Sequence, residues 1–153
     1  MRSATSVRFE DVNSPSTDTE RRARLLAGAD ATLRALSDIL APLGARFTAA
    51  GHELYLVGGS VRDAVLGRLG TDLDFTTDAR PKQVQALLRG WADHQWDTGI
   101  DFGTISAVKG PEQIEITTFR SDAYDRVTRH PIVEYGARLE DDLVRRDFTV
   151  NAM

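Results

Sequence analysis

Apolar residues recur at spacings of three and four from Leu25 through Leu26, Ala29, Leu33, Leu36, Leu40 and Leu43, which is the stripe of one amphipathic helix. Thr17 or Asp18 is placed to cap its start, and Pro42 with Gly44 is expected to end or kink it. That helix is expected to cover a sheet. The pattern then changes. Glu53-Leu54-Tyr55-Leu56-Val57 reads as a short strand running into Gly58-Gly59-Ser60, followed by a helix from Val61 to Leu66 that stops at Gly67. Asp72-Leu73-Asp74-Phe75-Thr76 reads as a second strand. Pro81 is a first-turn helix residue, and Val84, Leu87, Leu88 and Trp91 form the apolar stripe behind it. Two further strands are predicted over 103–108 and 113–120, joined by a turn at Gly110-Pro111. The stretch 121–136 carries turn residues and charges without a sustained period and is predicted to be a loop, whereas 141–153 reads as helical.

These elements predict an α+β domain over residues 18–153, with a mixed central sheet of about four or five strands flanked by helices. Residues 1–17 are rich in Ser and Thr, contain Pro15 and hold too little apolar material to fold alone, so they are expected to be a disordered lead-in. The pattern stops at Met153 inside a helical stretch with no cap, and the chain is therefore expected to be a piece of a longer protein.

Composition narrows the function classes. The chain has 153 residues, 41% of them apolar and 27% charged, as in globular proteins. No apolar run approaches the roughly 20 residues of a membrane span, and the N-terminus lacks the apolar segment of a secretory signal, so no membrane partner is expected. Zero cysteines exclude disulfides and thiolate metal sites and fit a cytoplasmic location. A net charge of −4 argues against a broadly basic nucleic-acid-binding surface. Any RNA grip must be local or lie outside these residues.

The candidate chemistry sits around two adjacent glycines. Gly58 and Gly59, between a strand and a helix, let the backbone approach a ligand closely; the amides through Ser60 then favour an anion, and Arg62 can add a charge-assisted bond to phosphate. The same pair also serves as a plain tight turn. Asp72 and Asp74, two apart on a strand, project from one face while Leu73 and Phe75 face the core. Such a pair suits Mg²⁺, or is simply two surface acids at a strand end. Glu115 interrupts the apolar strand Ile114-Glu115-Ile116 and would complete a set of three carboxylates if that strand lies beside Asp72–Asp74; otherwise it is an edge-strand acid. Arg120, Arg145 and Arg146 offer cations for a polyphosphate, or merely solvate the surface. A calcium loop fails, because counting Asp72 as its first position puts Thr77 where Gly belongs and Gln83 where Glu belongs. Neither a P-loop nor a dinucleotide-binding glycine fingerprint is present.

The ordered blocks Leu54–Asp63, Leu66-Gly67-Arg68, Thr71–Thr77, Asp101–Thr104, Ile114–Arg120 and Leu139–Met153 closely resemble the signatures of class II CCA-adding enzymes and bacterial poly(A) polymerases, over about residues 52 to 153. The resemblance implies the head domain of the nucleotidyltransferase superfamily. It implies Asp72 and Asp74 as ligands of Mg²⁺, Glu115 as the third catalytic carboxylate, and Gly58, Gly59, Ser60 and Arg62 at the triphosphate. Arg120, Arg145, Arg146, Asp147 and Asn151 would line the nucleotide's sugar and phosphates. The loop carrying Tyr124, Asp125, Arg126 and Arg129 resembles the mobile segment that helps switch between CTP and ATP. The implied activity is addition of CMP and AMP, from CTP and ATP, to the 3′ end of tRNA. Poly(A) synthesis by the same machinery, or a non-catalytic nucleotide-binding domain, are the alternatives. In that family the base-reading Asp and Arg, and most of the tRNA-docking surface, lie beyond the last matching block.

Overall fold

The computed structural model describes residues 17–123, 132–136, 138–144 and 146. Helix α1 (Asp18–Ala35) starts at a capping box: the Glu20 amide donates to Thr17 Oγ1 at 3.3 Å, and the Thr17 amide to the Glu20 carboxylate at 3.1 Å. The expected single helix is in fact two. The break falls at Leu36, whose amide turns back to the Leu33 carbonyl at 3.1 Å, and α2 (Ser37–Ala49) follows. Pro42 sits inside α2 without ending it. Both Pro42 and Asp38, whose carbonyl loses its helical donor, are exposed, so water can take that bond.

The apolar stripe misleads in a second way. Leu25 and Leu26 remain 42% and 57% exposed, and α1 packs chiefly on α3 (Gly59–Val65) rather than on a sheet. The covering role falls to α2 through Leu43 and Phe47, and to α4 (Pro81–Leu88) through Val84 and Leu88. Trp91 is buried with them, just beyond the end of α4.

Five strands form the central sheet: β1 (Leu54–Leu56), β2 (Asp72–Thr77), β3 (His94–Trp96), β4 (Thr104–Lys109) and β5 (Glu112–Thr118). Their order is β1-β2-β5-β4-β3, with β2 and β5 parallel and the other pairs antiparallel. The sheet is mixed, as the sequence predicts. The stretch expected to be a loop instead contributes β6 (Arg120–Ala123) and β7 (Ile132–Tyr135), an antiparallel pair of its own. Helix α5 (Leu139–Val144) begins two residues before the expected start. Of the expected lead-in, residues 1–16 lie outside the described residues. Among the described residues no helix is long and apolar enough to cross a membrane.

Register sorts the side chains of the sheet, because residues paired across neighbouring strands share a face. Leu73 and Phe75 of β2, Ile114 and Ile116 of β5, and Ile105 and Ala107 of β4 lie on the face that meets α2 and α4 and make the core. The other face carries Asp72, Asp74 and Thr76, then Gln113, Glu115 and Thr117, then Thr104 and Ser106. The fold thus seals one side of β2 and β5 and leaves the polar side for chemistry.

Candidate functional site

The site begins where β1 ends. Gly58 adopts φ 66° and ψ −131°, a conformation that costs a side chain dearly, and this turns the chain sharply into α3. Gly59 follows with its backbone against the acids. A Cβ there would stand 3.4 Å from Arg62 Nη2 and 3.8 Å from Asp74 Oδ2. Ser60 is buried, and its hydroxyl turns to the backbone of β2. Ser60 Oγ donates to the Asp72 carbonyl at 3.2 Å and accepts from the Asp74 amide at 2.8 Å. With the Val57 amide on the Asp74 carbonyl at 2.9 Å, this clips the glycine turn to the strand that carries both aspartates. Arg62 gives Nε and Nη2 to Asp63 at 2.9 and 3.1 Å, which fixes one edge of its guanidinium fork.

Asp72 is exposed and Asp74 half-buried. Burial pushes the Asp74 carboxyl above its ordinary value, the positive charge of Arg146 pulls it back, and negative Asp72 adds to the rise. Asp74 is therefore an acid whose charge is incompletely balanced by the protein. Glu115 pairs in register with Asp74 on the neighbouring parallel strand and shares its face, exposed. Register thus brings the third carboxylate alongside the pair. Still, among the described residues no three His, Cys, Asp or Glu side chains stand close enough together to hold a metal ion. Asp72 and Asp74 lie two apart on one strand, and Glu115 stands beside Asp74 on the next.

The predicted cations separate. Arg146 reaches the site through Asp142, a residue the sequence reading left unassigned. Asp142 is fully buried and accepts from Arg146 Nη2 at 3.0 Å, Thr76 Oγ1 at 3.2 Å and the Arg120 amide at 3.3 Å. One carboxylate on α5 thus joins β2, β6 and the arginine whose charge is felt at Asp74. The only sequence signal for it is the four-residue spacing between Asp142 and Arg146, which suits a helix-terminal ion pair. Arg120 is held at the start of β6 by its own amide. Arg145, Asp147 and Asn151 lie outside the described residues, as do Tyr124, Asp125, Arg126 and Arg129.

A glycine turn thus stands clipped to a strand with two carboxylates, on the polar face of a mixed sheet. The description "Poly A polymerase head domain" matches residues 54–153, and the chain belongs to that family. It is 43% identical over 112 residues to the CCA-adding enzyme of Streptococcus suis, a match covering 72% of this chain and 27% of that protein. Among solved structures it resembles the Bacillus stearothermophilus CCA-adding enzyme in complex with CTP, at 36% identity and a TM-score of 0.58, over 72% of this chain and 25% of the other. It also resembles a tRNA nucleotidyltransferase complexed with a primer tRNA and an incoming ATP analog, at 32% identity and a TM-score of 0.56, over 72% and 29%. The chain spans about a quarter of the length of the curated relatives it matches.

Proposed function

We propose that this chain carries the reaction centre of a template-independent RNA nucleotidyltransferase that adds CMP and AMP, from CTP and ATP, to the 3′ end of tRNA. The observation that carries the reading is the register of β2 and β5, which sets Glu115 beside Asp74 on the face that Gly59 and Arg62 border. Similarity to CCA-adding enzymes, one bound to CTP and a related enzyme bound to primer tRNA, supports the choice of substrates.

In this reading the Gly58-Gly59 turn and the free edge of Arg62 receive the triphosphate. Asp72 and Asp74 would hold Mg²⁺, because two hard oxygen donors suit that ion and the raised Asp74 carboxyl is the acid that gains from a cation. Such an ion, when bound, would supply charge to offset the phosphates and to acidify a nearby hydroxyl. Glu115 accepts the proton of the RNA 3′-hydroxyl as its oxygen bonds to the α-phosphorus and pyrophosphate leaves. Asp142 holds Arg146 so that its charge serves the same pocket.

Poly(A) synthesis is the second reading, favoured by the family description itself. Sequencing the RNA product separates the two. A tRNA lacking its last three nucleotides, incubated with CTP, ATP and Mg²⁺, gains CCA and stops under the first reading. An open-ended run of A supports the second, and no extension at all rejects both.

A further inference from the structure

We propose that Trp96 is the stacking platform for the unpaired 3′-terminal bases of the RNA primer; this rests on the nucleotidyltransferase reading and assigns the primer's side of the same site. Register draws one row across the open face of the sheet: Asp74 of β2, Glu115 of β5, Ser106 of β4 and Trp96 of β3. With strands about 4.8 Å apart, Trp96 lies about 10 Å from Glu115 along that row.

Charge decides which reactant uses which side of Asp74. The Arg62 guanidinium borders the glycine turn that follows β1, and β1 is the neighbour of β2 on the side away from β5. Beyond Glu115, the same face of β4 and β3 presents Thr104, Ser106, Val108, His94 and Trp96, with no Lys or Arg among them. Lys109 at the end of β4 is held by Asp93 at 3.0 Å. The polyphosphate therefore goes to the Arg62 side. In-line displacement sets the attacking oxygen opposite the leaving pyrophosphate, so the primer's hydroxyl arrives over Glu115 from β4 and β3.

Trp96, 41% exposed, is the aromatic residue in register with that row; Phe102, 56% exposed, precedes β4 outside the row, and the chain's other tryptophan, Trp91, is 8% exposed and packed in the core. Ser106, between Trp96 and Glu115, is small and carries no charge, so the row places no bulky or charged side chain of its own between the indole and Glu115. Stacking suits a growing end, because every base has a π-face and the platform need not read which nucleotide was added last. One base on one ring is worth about five- to 150-fold in affinity.

The test compares wild type, Trp96→Ala and Trp96→Phe on an RNA ending in CC, reading primer KM, RNA affinity by anisotropy, Mg²⁺–CTP affinity and indole fluorescence. The expected result is a primer KM and Kd raised about tenfold in Trp96→Ala and nearly restored in Trp96→Phe, with CTP affinity unchanged. RNA should quench fluorescence in wild type and not in Trp96→Phe, whose remaining indole is buried. If wild type extends RNA and both variants match it in primer KM and Kd, the platform is overturned while the catalytic reading stands. If wild type neither binds nor extends RNA, both fall. Should Trp96→Ala fail to fold, Trp96→Phe still decides through the quenching signal, whose persistence would overturn the proposal.

Discussion

Ser60→Ala separates two roles that the sequence alone leaves merged. A serine after two glycines invites a phosphate contact, but the structure gives its hydroxyl to the backbone of Asp72 and Asp74. Removing the hydroxyl deletes two part-buried hydrogen bonds and leaves the Asp74 amide without its Ser60 acceptor. Each such bond is worth about 0.5–1.5 kcal/mol net, and an orphaned buried amide costs about 1–3 kcal/mol, so the expected loss is about 2 kcal/mol. In a domain of this size that lowers Tm by about 4–8 °C. The functional consequence differs from that of a ligand contact. Loosening the strand that holds Asp72 and Asp74 should slow nucleotide addition about ten- to a hundredfold through misplacement, while Mg²⁺–NTP affinity changes little. Calorimetry gives Tm and titration of CTP gives Kd. An unchanged Tm with a weakened CTP Kd would refute the clip and return Ser60 to the phosphate.

Asp74→Asn should stabilise the metal-free protein at neutral pH. The folded carboxyl titrates above its ordinary value, so its charge costs stability above the folded pKa, and that cost is relieved as pH falls toward the ordinary value near about 4. The Tm gap between variant and wild type should therefore be positive at pH 7 and close in acid; a gap that widens in acid would reverse the sign. Glu115→Gln should leave stability within about 0.5 kcal/mol, because the side chain is exposed, yet slow addition severely; near-normal single-turnover rates would remove Glu115 from the chemistry. Gly103→Ala should destabilise by about 2–4 kcal/mol, measured by urea unfolding. Gly103 has φ 81°, and an added Cβ would stand 2.9 Å from Tyr135 Cε1, in the ring that packs under Arg80 at 4.5 Å. A loss under about 0.5 kcal/mol would mean that β7 moves freely.

How much of this was legible in the chain depends on whether the cause is local. β2 and β5 announce themselves because each carries a period of two between an apolar core face and polar residues, and the glycine turn is marked by its own composition. Their parallel pairing is not local. It requires α4, β3 and β4 to intervene, and only the folded register shows Glu115 beside Asp74 rather than at an edge. β3 escaped notice because His94-Gln95-Trp96 is too short and polar to show a period. β6 and β7 escaped because each is only four residues long, Arg120-Ser121-Asp122-Ala123 and Ile132-Val133-Glu134-Tyr135, and neither alternates. The break at Leu36 is invisible beside the stronger signal of Pro42, which the helix tolerates by exposing the carbonyl it orphans. Ser60 and Asp142 illustrate the same limit: a hydroxyl that reaches back to a strand, and a carboxylate buried among three donors, are defined by partners distant in sequence.

The central claim is that the two aspartates of β2 form the reaction centre, and single-turnover nucleotide addition to a tRNA lacking its CCA end tests it most directly. Asp72→Ala and Asp74→Ala are each compared with wild type under saturating CTP and Mg²⁺, with tRNA affinity measured alongside. The expected rate is lower by about a thousandfold or more, equivalent to several kcal/mol of lost transition-state stabilisation, with tRNA affinity nearly unchanged. Addition by either variant within about tenfold of the wild-type rate would contradict it.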